Sequence, residues 1–599
     1  MDLSTREGRR KQGGRIKRAA KDAGLSLDDL ASRVGCSRAL IYQYVSGALL
    51  AQSNRLQVIG EIVNKPLDYF FAADEPPVSE ASAEKRSDEP SWIRERVLNL
   101  RKLLDAYSLP ADPRAIADTC QQIRSLIEAE GDALAIAEIL FKHGDALIQL
   151  QDFGSAKAKF QEAGSLFREG GRSGAALSCL QSLGHINVQL GRTDEAMKLF
   201  EEVSQGQSWQ HRWQGALSLG AVHEVLGNYA ASADLFMQAT EIVEENANRA
   251  ETEIPILFIE SNWANLDLDW GEYTSAMNRA ERCVALAQKL GIQDQYVEAK
   301  LTRGIALLEL YEIKSALSEV STALDVSQLL RDNPRRSIAL SYRSRCQSAI
   351  LKPDEAVIDA KEALTLALRC GANRAEVLAQ QVLVEAYLSA GNYPEAQYHI
   401  DQASSAAESQ GLRLQQAQSA VLRSRLFMVT GQLDSACEMA LGALSIANTL
   451  EAKSVILDAH LLLASTNLAR KRWEDARIHA DAAVTLATAS RTIVSLWTAY
   501  WRLASAQWKL GDMAAARLSF ESALGHLSEC RWRFVGATGL DTYYNAPGVV
   551  ELLQRWLNFL EETDETYKAG SQSIGQEWSA LEQFDRRGHN ARSEALGRD

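Results

Sequence analysis

The chain has 599 residues, with 64 Lys and Arg against 78 Asp and Glu and a formal charge of −14, an acidity that excludes a general nucleic-acid coat. Its length calls for several domains or one long repeat array. No run of about 18 apolar residues offers a membrane span, and the basic N-terminus lacks the apolar stretch of a signal peptide. The cysteines at 36, 120, 179, 283, 346, 370, 437 and 530 make no C-x-x-C, so the sequence points to a reducing cytoplasm without disulfides or zinc.

Charge is unevenly spread. Residues 1–75 hold 12 basic and 9 acidic side chains, the remainder 52 and 69. A basic head on an acidic body suits a nucleic-acid reader whose body suppresses non-specific binding. Residues 1–14 read as a disordered basic arm; with Arg15, Lys17 and Arg18 it concentrates the positive charge. The stretch Arg15 to Ala23 is patterned as an amphipathic helix stopped by Gly24.

The window LDDLASRVGCSRALIYQYVS, 27–46, carries two short helices about a Gly35 turn. Leu30, Ala31, Val34, Cys36, Ile41 and Tyr44 face inward, and Ser37 is placed to cap the second helix. Arg38, Ala39, Tyr42, Gln43 and Ser46 remain outside. This is a helix-turn-helix pattern whose second helix would enter a major groove. A helix after Ser53, with Leu56, Ile59, Ile62 and Val63 on one face, and the short KPLDYFF segment complete a five-helix core over 15–73.

With the motifs GLSLDDLA, RVGCSRALIYQYVSG and LQVIGEIVNKPLDYFF in view, residues 15–71 resemble the lambda repressor/Cro (Xre) family. The resemblance implies double-stranded DNA as partner. Arg38, Tyr42 and Gln43 would read base edges, and Ala39 would meet a thymine methyl. Two positions depart from the family pattern. Leu27 replaces a phosphate-holding Gln and Val45 replaces a polar residue, so Ser26 or Arg33 would take over the phosphate contact.

Residues 74–91 form a Pro/Ser/Glu-rich flexible linker, and 92–132 read as capping helices. From 133 to 530 an alanine returns every 40 residues, at 156, 196, 276, 316, 356, 396, 436, 476 and 516, with Ser232 in the remaining place. Small residues usually recur seven places later and stand in most repeats twelve places earlier, and turns such as LGRTDEA and AGNYPEA lie between. The pattern predicts ten helical hairpins stacked as an all-α solenoid. Its G-x-[YF]-x-x-A grammar resembles tetratricopeptide repeats, with a longer stride; a HEAT-like array is the minor alternative. A capping segment, 531–568, and a disordered tail, 569–599, follow.

No catalytic or cofactor signature is present: no P-loop, no G-x-S-x-G, no H-E-x-x-H, no dinucleotide fingerprint. The expectation is a non-enzyme without cofactor or metal. One residue past the small crossing position, each first helix should face a concave groove. There stand Asp145, His185, Ala221, Asn265, Ile305, Arg345, Glu385, Arg425, Ser465 and Ser505. Asn265, Arg345, Glu385 and Arg425, with Gln381 one turn earlier, are candidates to hold the backbone of a peptide or protein effector. A structural ion-pair ladder between repeats fits the same residues. Trp497, Tyr500, Trp501 and Trp508 read as core against the C-terminal cap, with an aromatic partner site as the lesser reading.

An Xre head before tetratricopeptide repeats resembles peptide-responsive bacterial transcription regulators, and leaves homodimerisation through the repeats open. The competing expectation is a protein-interaction scaffold with an accessory head.

Overall fold

In the computed structural model the described residues are 6–23, 25–34, 38–46, 53–63, 65, 67–70, 100, 113–128, 132–246, 248, 251–538 and 547–563. All their regular structure is helical. The linker, most of the first capping segment, Gly35, Cys36, Ser37 and the tail lie outside the described residues. The chain folds as two compact units, Met1–His211 and Arg212–Asp599.

The first unit opens with α1 (Arg6–Asp22), α2 (Leu27–Val34), α3 (Arg38–Ser46), α4 (Ser53–Val63) and a 3-10 turn (Leu67–Phe70). Ile16, Ala19, Leu30, Ala31, Ile41, Tyr44, Leu56, Ile59 and Phe70 form its core. Here the expected disordered arm needs correction. The helix starts at Arg6, because Arg, Glu, Lys and Gln are good helix formers. The Gly13–Gly14 pair does not break it. A Cβ on Gly13 would stand 2.6 Å from the Val45 carbonyl oxygen, so the glycine is where α1 closes on α3. Next come α5 (Pro113–Ile127) and two hairpins, α6 (Ala133–Gln149) with α7 (Phe153–Glu169) and α8 (Ser173–Gln189) with α9 (Thr193–Ser204).

Eight further hairpins continue the array: α10 (Trp209–Val225) with α11 (Tyr229–Asn246), α12 (Glu253–Trp270) with α13 (Tyr273–Leu290), and α14 (Gln293–Glu309) with α15 (Ile313–Leu330). Then follow α16 (Asn333–Ala349) with α17 (Pro353–Cys370), α18 (Asn373–Ser389) with α19 (Tyr393–Ser409), and α20 (Arg413–Val429) with α21 (Leu433–Leu450). The last are α22 (Lys453–Ala469) with α23 (Trp473–Ser490), and α24 (Ile493–Leu510) with α25 (Met513–Thr538). Helix α26 (Pro547–Thr563) covers the end: Trp508 meets Phe559 edge-on, and Arg555 lies over Trp501. The tryptophans are therefore capped core, as expected.

Each hairpin is held at one crossing. The recurring alanines, from Ala156 to Ala516, and Ser232 are fully buried. Opposite them, volumes trade. Where the first helix carries Gly144, Gly184 or Gly220, the second brings Phe160, Phe200 or Phe236 into the space a Cβ would fill. Where the first helix carries Ala264, Ser344, Ser424 or Ala464, the equivalent second-helix residues are Ala280, Ala360, Ala440 and Ala480. Serine adds a polar tie: Ser344 Oγ donates to the Ala356 carbonyl and Ser424 Oγ to the Ala436 carbonyl, both at 2.7 Å. In the α10–α11 hairpin the hydroxyl has changed helix, and Ser232 Oγ donates back to Gly220 at 2.8 Å.

This crossing yields a paired test. In Gly144→Ala the new methyl would lie 2.7 Å from the buried Phe160 ring. It should cost about 1–3 kcal/mol in urea unfolding through overpacking. Gly442→Ala, on an open helix surface with nothing within 4 Å, should instead stabilise by about 0.5–1 kcal/mol.

Candidate functional site

Within the second unit the first helices of successive hairpins line an inner wall. The superhelix completes a turn over five hairpins. Helix α12 meets α22, Lys453 pairs with Glu272, and a Cβ on Gly227 would overlap Leu450. Inside is a cavity of about 330 Å³. Almost all its lining comes from first helices in a 40-residue register: Asn265, Ile305, Arg345, Glu385 and Arg425 form one row, and Glu298, Ile338, Leu378, Gln418 and Asp458 another.

All five sequence candidates for the effector wall line this one cavity, but their chemistry differs from one to the next. Arg345 donates from Nε to Glu385 at 3.1 Å and pairs through Nη1 with Glu309 at 3.1 Å, spanning three consecutive hairpins. The two carboxylates hold its guanidinium protonated against the opposing effect of burial. Asn265 donates to Glu298 at 3.3 Å and accepts from Thr302 at 2.8 Å, while Arg335 holds the other Glu298 oxygen at 2.9 Å. Gln381 donates from Nε2 to the Gln415 carbonyl and to Ser419 Oγ, tying α18 to α20. The ladder expectation thus describes Arg345 and Glu385. Arg425 is different: it makes no hydrogen bond or ion pair with a described residue.

The sequence reading missed Arg374 and most of the acidic lining. Arg374, on α18, donates to Asp269 at 3.1 Å and reaches Glu224 at 4.0 Å. Burial, then neighbouring Asp269, pushes Glu224 up to about 8. Burial pushes Asp458 up to about 6, only partly offset by Arg425. The contacts bridging 105 residues of chain come from superhelical closure and leave no local pattern to read.

In the head, Tyr42 is 51% exposed, and Arg33 and Ser46 are exposed. Arg38, Ala39 and Gln43 lie on α3, but their side chains, like Ser37, fall outside the described residues. Two candidates have partners within the head. Ser26 Oγ bonds to the Asp29 carboxylate at 2.5 Å and accepts from the Asp29 N–H, a capping box for α2. Arg15 Nη1 donates to the Tyr69 carbonyl at 2.8 Å, tying α1 to the 3-10 turn. Leu27 packs partly buried against the head core.

Elsewhere, burial pushes the Cys120, Cys179, Cys283 and Cys346 thiols up to about 12, so none of these is a thiolate nucleophile at neutral pH. Among the described residues no three His, Cys, Asp or Glu side chains gather as metal ligands, and no helix is long and apolar enough to cross a membrane.

Residues 177–205 and 498–525 match the tetratricopeptide repeat sequence model, which makes this a protein with tetratricopeptide-type repeats. No curated protein matches the chain. Among solved structures it is similar to a Rap protein complexed with competence and sporulation factor, at 15% identity over 59% of this chain and 98% of that one, with a TM-score of 0.47. It is similar to aspartyl phosphate phosphatase F from Bacillus subtilis, at 15% identity over 62% and 98%, TM-score 0.37. It is also similar to Bacillus thuringiensis PlcR in complex with the peptide PapR7 and DNA, at 12% identity over 47% and 95%, TM-score 0.25.

The two arginines of the wall should separate by stability. Arg345→Ala strands two carboxylates that are about 27% exposed, and should cost on the order of 2 kcal/mol in urea unfolding. Arg425→Ala breaks no hydrogen bond or ion pair with a described residue and should cost less than about 1 kcal/mol, through the lost offset to the burial of Asp458.

Proposed function

We propose that the chain is a sequence-specific DNA-binding transcription regulator of the lambda repressor/Cro type whose repeats bind a peptide or protein effector. It acts by binding rather than catalysis, in the cytoplasm, and needs no cofactor. The observation that carries this reading is the cavity of about 330 Å³, which joins Arg425, Gln418 and Asp458 to an apolar floor of Ile338, Leu378, Val382 and Leu422. Such a mix of apolar contact and a few oriented polar groups suits an extended ligand.

The head supports the DNA half of the reading through its surface. Tyr42, Arg33 and Ser46 are exposed on α2 and α3, while Ile41 and Tyr44 anchor α3 in the core. Two heads, brought together by repeat-mediated dimerisation, would bind half-sites about one helical turn apart. A ligand that prefers one curvature of the repeats would then alter that spacing. One observation favours the scaffold reading: Arg15 and Ser26 already have partners within the head, and Leu27, standing where a phosphate-holding Gln is expected, packs partly buried against its core.

Selection from a random duplex pool with the full chain separates the two. The regulator reading expects an enriched sequence, with Arg33→Ala and Tyr42→Ala weakening its binding about tenfold or more, in line with about 1–3 kcal/mol per lost contact. If no sequence is enriched while partner binding persists, the scaffold reading stands in its place.

A further inference from the structure

Resting on the reading of the repeat cavity as a ligand site, we propose that its ligand presents organic cations, amine or guanidinium groups, to the cavity carboxylates Glu224 and Asp458, each met separately. The cavity wall holds six carboxylates, Glu224, Asp269, Glu298, Glu309, Glu385 and Asp458, and three guanidiniums, Arg345, Arg374 and Arg425. Arg335 reaches Glu298 from behind and makes a fourth cation. With every carboxylate ionised the wall is acidic by at least two charges, since Arg335 is itself shared with Asp332.

The pairing shows where that excess sits. Arg345 is shared by Glu309 and Glu385. Arg374 commits its hydrogen bond to Asp269. Glu224, only 8% exposed, is left with that same guanidinium at 4.0 Å and no hydrogen bond from a described residue. A carboxylate on a side chain this buried, with its one neighbouring guanidinium committed elsewhere, attracts a further cation. Near it the Tyr229 hydroxyl is buried without a hydrogen-bond partner among the described residues. Asp458, on α22, likewise has no ion pair within 4 Å, although Arg425, Arg345, Glu309 and Glu385 surround it. An ammonium or guanidinium group entering here would satisfy a carboxylate that the protein leaves unsatisfied, while the apolar floor takes the rest of the ligand.

Proton release follows from the same placement. Around Glu224 stand Asp269 on α12, Arg374 on α18 and Glu298 on α14, and its carboxyl is pushed up to about 8. Near pH 7 it is mostly protonated. A bound cation favours the carboxylate, so binding expels a proton and tightens as pH rises from about 6 to 8.

The test is calorimetry on the full chain in two buffers of different ionisation enthalpy. The probes are spermidine and a pentapeptide carrying one Lys and one Arg, beside versions of that peptide with both replaced by Gln or by Glu. The expected result is at least tenfold tighter binding of the basic peptide than of the Gln version. Proton release should accompany it, and both should be lost in Glu224→Gln and reduced in Asp458→Asn. Binding by spermidine but not by the basic peptide would also support the inference, and would assign the cation to a free polyamine. If the Gln or Glu peptide binds as tightly as the basic one and Glu224→Gln leaves it unchanged, the cation inference is overturned and the ligand-binding reading survives. If none of the four probes binds, this inference fails, and the ligand-binding reading must then be judged on other effectors. Circular dichroism of both variants shows whether they fold.

Discussion

The crossing of two helices at a small residue governs everything else in the array. A hairpin has no core of its own until its helices meet closely, and the closeness is set by what stands at four positions. Glycine facing phenylalanine and alanine or serine facing alanine serve seven of the ten hairpins, while Gly304 with Val320, Val384 with Ile400 and Ala504 with Phe520 fill the crossing in other ways. The exchange of the hydroxyl between Ser344 and Ser232 shows that the polar tie also belongs to the crossing rather than to either helix. Because the crossing fixes rotation about each helix axis, the next residue along looks into the cavity in five successive hairpins, from Asn265 to Arg425. The inner wall is thus a consequence of packing at the crossing, and its chemistry can vary from repeat to repeat without disturbing the fold.

That separation explains the electrostatics of the wall. Residues 40 apart become neighbours across stacked hairpins, so Glu309, Arg345 and Glu385 meet although no local stretch of chain joins them. Partial burial strengthens the attraction and makes an unmatched charge costly. Arg345 answers to the repeat stack, and Arg425, one hairpin beyond Glu385, answers to none of it.

The repeat period, the ten hairpins and the first wall row were legible because each rests on a local spacing. The turns were legible only in part. The same left-handed position recurs in every hairpin, as Gly191, Gly391 and Gly431 in some, and as Gln151, Tyr311, Leu351 and Lys471 in others, where the fold carries a strained non-glycine residue. The second wall row and Arg374 escaped the sequence reading for a different reason. Their partners are set by closure of the superhelix, where Arg374 meets Asp269 and Lys453 meets Glu272. The head shows the limit from the other side. Ser26 and Arg15 have the right chemistry for phosphate, but Asp29 and the Tyr69 carbonyl lie closer at hand within the fold. Residue type alone could not tell a surface contact from a cap.

The unequal charge of the inner wall then acquires meaning from the crossing rule. If inward positions served stacking alone, each carboxylate would end hydrogen-bonded or ion-paired to a guanidinium of the stack, as Glu309 and Glu385 do with the Arg345 they share. Glu224 reaches only Arg374, at 4.0 Å, and it lies where the wall closes on itself rather than within the ladder. Packing does not require a charge there, because an amide of the same shape would fill the space without the desolvation cost. What the carboxylate adds over the amide is an attraction for positive charge, exerted at the one end of the cavity where Arg374 is already committed to Asp269.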